Sequence, residues 1–319
     1  EAVCPMLAGY TVSQGGPIAF TQFDNELTGI HLWFGGMDYN REAMGIGVPS
    51  GRYPRFLADR YGTITRLNHY YETAYTAFGD ARPLPHDRVD SLADIRRARD
   101  YFEFYLATVT EYAEWLCATM RDLGIDTPFI HNAANPEMNP YFREMTEALG
   151  DDFLLGSDHY YNLDQHWPQN NPTPQYARRV FVSNQELERM GYPPTVLELP
   201  SGSASDWPPI TPTDAEACYM TNLAYGMKGH NYYVFTGGPN PPNAGETTDL
   251  YDYSAPIGAE GEIRPLYEVQ KRTAAFIAGH PWLLEARPVH DCRFLLDLKD
   301  ARAERYWQSI DEVEFTPAD

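Results

Sequence analysis

Two glutamates in this sequence each follow an apolar run of strand length. Glu26 comes just after residues 18–23, and Glu198 comes directly after residues 195–197. If both strands belong to one parallel sheet, their carboxyl groups lie at the same edge, where barrel enzymes hold their reactive side chains. A carboxylic acid that faces an ionised carboxylate can cleave a glycosidic bond. Glu198 alone could equally belong to a structural hydrogen-bond network, but the matching position of Glu26 favours a catalytic pair.

The distance between the two carboxyl groups would decide the stereochemistry of such a reaction. A retaining enzyme needs them about 5 to 5.5 Å apart, whereas an inverting enzyme leaves room for a water molecule between them. The residues leave both geometries open. A gap far above about 10 Å, or an occluded Glu198, would instead favour a protein that binds carbohydrate without cleaving it.

Polar residues also end the other predicted strands. Five strand ends in succession could therefore face one opening at the C-terminal edge of the sheet, called the mouth below. Packing alone does not account for five such ends in a row. The residues concerned are Asn25 beside Glu26, His131 with Asn132, Asp158 with Tyr160, Glu198, and Asn231 with Tyr232 and Tyr233.

The elements that must position these residues alternate between strand and helix. Strands are predicted over residues 18–23, 127–132, 153–158, 195–198 and 231–235. Helices are predicted over residues 54–61, 64–75, 100–123, 141–149 and 176–190, from a capping box at Thr213 and Glu216, and over residues 265–278. Repeated β-α units imply parallel strands joined by right-handed crossovers.

The predicted fold class is therefore α/β, of the (β/α)8 TIM-barrel type. Five units are too few to close eight strands but match the last five, strands 4 to 8, so strands 1 to 3 are expected before Glu1. A doubly wound sheet is the alternative, although the sequence lacks its phosphate-binding turn. We expect residues 1–280 to form this partial catalytic barrel. Residues 281–319, with a predicted strand over 293–297, are expected to form a linker that could begin a C-terminal β-domain.

Tryptophans in predicted loops are candidate sugar-binding surfaces, because flat rings can stack against the C–H faces of sugars. Trp33 lies in the long segment after Glu26, and Trp167 and Trp207 lie beside later strand ends. Their positions favour Trp33 and Trp207 as platforms over Trp167. The competing interpretation is that a chain with 14% aromatic residues packs some of them under its loops.

Composition narrows the classes of partner. The 319-residue chain has a formal net charge of -21, which argues against nucleic acid and anionic membranes because phosphate binding needs clustered Lys and Arg. A carbohydrate substrate is expected, with no cofactor. No metal is expected either, since no His-x-x-x-His spacing appears, and ordinary hydrogen-bonding roles are expected for His31, His131 and His159. A metal-dependent barrel hydrolase is the rival class. The four cysteines form no CxxC pair and are expected to be isolated thiols.

Targeting signals are not apparent in the chain. Residues 1–16 lack the basic start and long apolar middle of a signal peptide, and no apolar run reaches the roughly eighteen residues of a membrane span. The compartment and the oligomeric state stay open.

Several motifs resemble the β-galactosidases of glycoside hydrolase families 35 and 42, two families of one clan. The run from Gly15-Gly16-Pro17-Ile18 to Asp24-Asn25-Glu26 is similar to the acid/base strand of family 35, although Asp24 and Leu27 depart from its pattern. Residues 56–68 and the segment Ser157-Asp158-His159-Tyr160 resemble family 42. Residues 231–240 and 251–256 resemble the eighth strand of family 35 and its loop, and the whole resemblance covers about residues 10–280.

This resemblance implies a (β/α)8 barrel that hydrolyses β-galactosides or related β-linked oligosaccharides by double displacement. It implies that Glu26 is the acid/base on strand 4 and Glu198 the nucleophile on strand 7. Asn25 would hydrogen-bond the sugar 2-hydroxyl, and Tyr160 would keep Glu198 oriented and ionised. The substrate-binding candidates are Asn25, Asn132, Tyr160, Trp33, Trp207 and Tyr232. The alternative function is a non-catalytic carbohydrate-binding protein on the same barrel.

Overall fold

Five parallel strands form the central sheet of the computed structural model, which describes residues 2–29, 37–84, 90–160, 174–202, 211–243, 250–251 and 255–292. The strands are β1 (Thr21–Gln22), β2 (Phe129–Ala133), β3 (Phe153–Asp158), β4 (Thr195–Pro200) and β5 (Gly229–Tyr233). They lie side by side in chain order, and each neighbouring pair is parallel. This arrangement confirms the predicted series of β-α units and forms an incomplete (β/α) barrel, while the barrel numbering of its strands stays a prediction.

Helices connect consecutive strands of the sheet. The helices of the described residues are α1 (Cys4–Leu7), α2 (Arg52–Tyr61), α3 (Ile64–Tyr71), α4 (Leu92–Asp122), α5 (Arg143–Leu149), α6 (Pro174–Arg189), α7 (Pro212–Ala224) and α8 (Pro265–Gly279). Helices α4, α5, α6 and α7 precede β2, β3, β4 and β5 in the chain, respectively, and α8 follows β5. A short antiparallel pair, β6 (Gly238–Pro239) and β7 (Leu250–Tyr251), lies between β5 and α8 in the chain.

Strand β1 is much shorter than the predicted strand over residues 18–23. It pairs on one side only within the described sheet, through Thr21 opposite Phe129 and Gln22 opposite Ile130. The chain then leaves the extended conformation at Asp24, whose φ is 52°. A left-handed backbone ends a β-ladder, so the segment that carries Glu26 is a tight loop rather than a strand continuation.

Helix boundaries differ from the predicted ones where capping decides them. Helix α4 begins at Leu92 rather than near residue 100, because the Ser91 side chain accepts a hydrogen bond from the Asp94 N–H. The capping box of α7 is formed by Thr211 and Asp214, two residues before the predicted pair. Pro212 fits that register, since proline favours the first turn of a helix.

Two hydrophobic clusters hold the sheet against its helices. The first packs Phe23, Phe129 and Phe153, from the region of β1 to β3, against side chains of α2 to α5. The second packs Val196 and Leu199 of β4 against α7 and α8. Burial of such side chains stabilises the fold by about 1.5 to 3 kcal/mol each, so the two clusters hold the strands in fixed positions.

The cysteines and the helices agree with two further expectations. Cys4, Cys117, Cys218 and Cys292 are all free thiols, and two of them are buried. Among the described residues, none of the helices combines the length and apolar character needed to cross a membrane. The predicted strand over residues 293–297 lies outside the described residues.

Candidate active site

The carboxyl groups of Glu26 and Glu198 meet at the C-terminal edge of the sheet. Glu198 lies within β4 and pairs in register with Asp158, the last residue of β3. One carboxyl oxygen from each of Glu26, Asp158 and Glu198 lies within 4.8 Å of the other two. Glu26 and Glu198 are half-buried, whereas Asp158 is fully buried. Two glutamates that are far apart in the sequence thus lie close together at the mouth of the sheet.

A loop of unusual backbone conformation presents Glu26. Asp24, Glu26 and Thr28 have φ values of 52°, 46° and 75°, a region that non-glycine residues seldom adopt. Hydrogen bonds hold this conformation from two sides, since the Glu26 N–H donates to Asn132 Oδ1 (3.2 Å) and the Tyr112 hydroxyl of α4 donates to Asp24 Oδ2 (2.7 Å). Strained backbone of this kind is typical of functional sites, because the surrounding contacts must over-determine it.

His131 fastens the same loop from below. Its Nδ1–H donates to the Phe23 carbonyl (3.1 Å), and its Nε2 accepts from the Leu27 N–H (3.2 Å). Both bonds require the neutral ring with its hydrogen on Nδ1. Burial lowers the pKa of His131 to about 4, so the ring stays in this form at neutral pH. His131 therefore has the ordinary hydrogen-bonding role expected of it, and it positions Glu26 without facing the mouth.

Asn132 joins the acidic side chains into one network. Its Nδ2 lies within hydrogen-bond distance of three acceptors, which are Asp158 Oδ2 (2.7 Å), Asn25 Oδ1 (3.1 Å) and Glu198 Oε1 (3.2 Å). Its Oδ1 accepts from Gln22 Nε2 (2.9 Å) as well as from the Glu26 N–H. One amide on β2 thus sets the relative positions of groups from β1, β3 and β4.

Tyr160 holds the second oxygen of Glu198. Its hydroxyl donates to Glu198 Oε2 at 2.5 Å. Burial and the negative charge of Glu198 raise the pKa of the Tyr160 phenol, so it remains a donor. Burial also raises the pKa of Glu198, and the Tyr160 hydrogen bond opposes that rise. Glu198 therefore carries two donors on its carboxylate, one on each oxygen.

Glu26 has the opposite electrostatic setting. Burial and the nearby negative charge of Glu198 raise the pKa of Glu26 to about 7. Glu26 thus keeps its proton up to near-neutral pH, while Tyr160 and Asn132 favour the ionised form of Glu198. Two carboxyl groups whose surroundings separate their proton affinities can act as an acid and a nucleophile.

Asp158 was expected at a strand end that faces the mouth, but it was not among the predicted catalytic or substrate-binding residues. Its position at the end of a buried strand was the available signal, but nothing in the sequence placed it between the two glutamates. These three side chains form the close acidic group that the described residues contain. Tyr160 and Asn132 donate to the two oxygens of Glu198, and Asn132 also donates to one oxygen of Asp158. This pattern is compatible with carboxyl groups that share protons.

A buried network fixes the strand end between Asp158 and Tyr160. The His159 side chain points away from the mouth, donates from Nδ1 to Asn222 Oδ1 (2.6 Å) and accepts at Nε2 from Ser183 Oγ (2.8 Å). Burial lowers the pKa of His159 to about 4, which keeps the ring neutral as this pattern requires. Helices α6 and α7 thereby hold the backbone that carries two residues of the site.

Tyr232 occupies a different place from the other candidates. It pairs in register with Leu199, so both side chains point to the helix side of the sheet. Its ring packs against Tyr219 and His230, with centroids 5.2 and 4.7 Å away. The structure therefore brings together Asn25, Glu26, Asn132, Tyr160 and Glu198, but not Tyr232. Trp33, Trp207, Trp167 and His31 lie outside the described residues.

Comparison with known proteins identifies related sequences and folds. The family model for glycoside hydrolase family 42, described as β-galactosidase, matches residues 18–239. A β-1,2-glucosyltransferase from Ignavibacterium album is 26% identical over 288 residues, which cover 87% of this chain and 38% of that protein. An exo-β-D-glucosaminidase from Thermococcus kodakarensis is 24% identical over 298 residues, which cover 90% of this chain and 36% of that protein.

A solved structure shares the fold. The polyextremophilic β-galactosidase of the Antarctic haloarchaeon Halorubrum lacusprofundi superposes with a TM-score of 0.64 at 18% identity. The match covers 87% of this chain and 40% of that chain. This chain thus spans little more than a third of the length of the two curated relatives and two-fifths of this structural one.

Proposed function

The chain belongs to glycoside hydrolase family 42, and on this premise we propose that it cleaves β-galactosides or related β-linked oligosaccharides with retention of configuration. Glu26 is the acid/base and Glu198 is the nucleophile. The description of the family supports galactosides. The two curated relatives are named for glucosyl transfer and glucosaminide cleavage, which supports the wider class of β-linked sugars.

The spacing of the two glutamates is the observation that carries this proposal. An oxygen of Glu26 lies within 4.8 Å of an oxygen of Glu198. Retaining glycosidases hold their carboxyl groups about 5 to 5.5 Å apart, and inverting ones about 6.5 to 9.5 Å apart. This short separation supports the retaining arrangement, in which Glu198 itself attacks the anomeric carbon.

The reaction then proceeds in two steps. Glu198 forms a bond to the anomeric carbon while the glycosidic bond breaks and Glu26 gives its proton to the leaving oxygen. In the second step Glu26 takes a proton from water, the water oxygen bonds to the anomeric carbon, and Glu198 leaves as a carboxylate. Asn25 assists both steps by binding the sugar 2-hydroxyl. Its Oδ1 already accepts from Asn132 and Gln22, so its Nδ2 is the end that reaches the sugar.

The stereochemistry of the first-formed product tests the proposal. Proton NMR of an aryl β-galactoside during early turnover is expected to show the β-anomer before mutarotation produces the α-anomer. The full chain should be used, with an aryl β-glucoside and an aryl β-glucosaminide as parallel substrates. Initial appearance of the α-anomer would rule out a retaining mechanism, and no cleavage of any of the three would rule out the substrate class.

Transfer to a sugar acceptor is a second outcome of the same chemistry, and the name of the Ignavibacterium album protein favours considering it. The glycosyl-enzyme is the same, but a sugar hydroxyl replaces water in the second step. Product analysis with added acceptor sugars separates the two, because transfer gives a new disaccharide at the expense of free sugar. A non-catalytic protein would give neither product, and the half-buried, closely spaced glutamates argue against it.

Replacing Tyr160 with phenylalanine is expected to lower kcat by about 10- to 100-fold with a smaller change in KM. The Tyr160 hydroxyl lowers the pKa of Glu198, so its removal raises that pKa. Because the nucleophile must be ionised, the acidic limb of the kcat/KM profile should move to higher pH. A pH profile of the variant measures this.

Tyr192→Phe is the matched control for that experiment. Tyr192 is half-buried and packs against Phe153, which begins β3 at the other end of the sheet. Its variant should keep the acidic limb of the parent protein. An unmoved limb in Tyr160→Phe would contradict the role given to that hydroxyl.

Further parts of the proposal concern the rest of the chain. Trp33 and Trp207 remain proposed stacking platforms for sugar rings, and Tyr232 supports the site from the helix side. Residues 1–280 are proposed as the catalytic barrel segment, with residues 281–319 as a following linker. Helix α8 ends at Gly279, and Lys228 Nζ donates to the Leu283 carbonyl (2.6 Å) just beyond it.

A further inference from the structure

Asp158 is a third carboxyl group in the mouth, and the two-glutamate reaction gives it no task. We propose that Asp158 is a positioning residue that stays protonated and directs its hydrogen to whichever catalytic glutamate is ionised. This inference rests on the proposed function, because it assigns a role within that reaction.

The hydrogen-bond pattern of Asp158 supports a neutral acid. Its side chain is 0% exposed. Oδ2 accepts from Asn132 Nδ2 at 2.7 Å, whereas Oδ1 receives no hydrogen bond from the described residues. A buried carboxylate normally has donors on both oxygens, since burying an uncompensated charge is costly. Oδ1 is therefore the oxygen that carries the hydrogen.

The groups around Asp158 also favour its neutral form. Glu26 faces it from the loop after β1, Glu198 from β4, and the Tyr160 phenol from the end of its own strand. The group from β2 is the neutral amide of Asn132. In the described residues, Asp158 forms no ion pair with lysine or arginine. Two carboxyl groups can hydrogen-bond each other only if one is protonated, and Asp158 and Glu26 are placed for such a bond.

Burial and the repulsion of both glutamates raise the pKa of Asp158 well above its usual range. Three acidic groups so close cannot all ionise. Glu198 is held ionised by Tyr160 and Asn132, and Glu26 titrates near neutral pH. Asp158, with no exposed surface and one donor, is the group that keeps its proton longest.

A protonated Asp158 suits the movement of charge during the reaction. Before the first step, the negative charge is on Glu198. Once the glycosyl-enzyme forms, Glu198 is a neutral ester and the charge is on Glu26, which has given its proton to the leaving group. Asp158 lies beside both positions, so its hydrogen can serve each in turn without being transferred. The total charge of the three side chains is the same before and after the step.

Infrared spectroscopy of the full chain tests the protonation directly and needs no activity. Burial raises the pKa of Glu186 on α6 to about 8, so the measurement is made in a Glu186→Gln background to remove its signal. At about pH 8, above the pKa of Glu26, the carbonyl stretch of a protonated carboxylic acid should still be present in that background and should disappear when Asp158→Asn is added. Asp100→Asn is the matched control. Asp100 is equally buried, but it accepts from the Tyr61 and Tyr71 hydroxyls and lies 3.4 Å from Arg60 Nη1. That variant should keep the band.

Kinetics provide the second measurement. Asp158→Asn retains a donor and should lose about tenfold in kcat, whereas Asp158→Ala, which has none, should lose about 100-fold. Because Asp158→Asn removes no charge if the residue is neutral, its basic limb in kcat/KM should move by less than about half a pH unit. An unchanged infrared band, or a basic limb that falls by about one unit or more, overturns the proposal. A wild-type protein that shows the band but cleaves no glycoside refutes the proposed function instead.

Discussion

Glu198→Gln is expected to lower kcat/KM for aryl β-glycosides by about 10⁴-fold or more, because the proposed mechanism needs the Glu198 carboxylate to form the bond to the anomeric carbon. The glutamine keeps the shape of the side chain and can still accept hydrogen bonds from Tyr160 and Asn132. It cannot form the covalent glycosyl-enzyme, since its amide oxygen is a poor nucleophile. The loss should therefore appear in kcat for substrates with good and with poor leaving groups alike.

Covalent trapping gives the same prediction a positive readout. A 2-fluoro glycoside with a reactive leaving group should label the protein once, and peptide mass mapping should place the label on Glu198. Glu186→Gln is a suitable control. Glu186 lies on α6, outside the mouth, and burial raises its pKa to about 8, so it is another glutamate with a perturbed pKa. This variant should change kcat/KM by less than about threefold. A label on any other residue would overturn the assignment of the nucleophile.

Glu26→Gln is expected to separate substrates by the quality of their leaving group. Proton donation by a positioned acid contributes about 10² to 10⁴-fold, so glycosides with poor leaving groups should lose that much in kcat/KM. Dinitrophenyl glycosides need no proton and should keep a fast first step. Their glycosyl-enzyme should then accumulate, because the base that activates water is missing. A burst of phenol release followed by slow turnover measures this, and azide should restore turnover as a glycosyl azide.

The pH dependence of the parent protein follows from the same residue. The proposed mechanism requires Glu26 to be protonated in the first step, and burial and the charge of Glu198 raise the pKa of Glu26 to about 7. Activity should therefore fall as the pH rises through about 7, and Glu26→Gln should lack this limb with an activated substrate. A wild-type profile that stays flat well above pH 8 would show that another group supplies the proton.

The alternating pattern of apolar runs and helices predicted the order of the sheet. Runs of this kind indicate which segments are buried, and β3 was predicted at its observed bounds, Phe153–Asp158, from an apolar start and a polar end. Positions that depend on helix capping or on backbone turns were harder to predict from the sequence. Glu26 was expected at a strand end, but the left-handed backbone of Asp24 ends the strand and places Glu26 in a loop. The pattern of residue types does not indicate this loop.

The site could be predicted from the sequence wherever a residue lies in a predicted strand near its end or directly after it. Glu198 and Asn132 lie near the ends of β4 and β2, and Tyr160 follows β3 closely. Tyr232 shows a limit of this prediction. Successive residues of a strand point to opposite faces of the sheet, and Tyr232 points to the helix side rather than into the mouth. Asp158 shows another, because its importance comes from its distance to Glu26 and Glu198, which are remote in the chain. His131 was assigned an ordinary hydrogen-bonding role, but its two backbone partners appear only in three dimensions.

The Asn132 amide has a consequence for attempts to change the sugar preference. It lies on β2 and contacts Gln22 of β1, Asp158 of β3 and Glu198 of β4, so one side chain fixes the geometry of several groups in the site. A substitution at Asn132 would therefore disturb all of these groups together. Engineering of new sugar preferences should begin at residues outside this network and leave Asn132 unchanged.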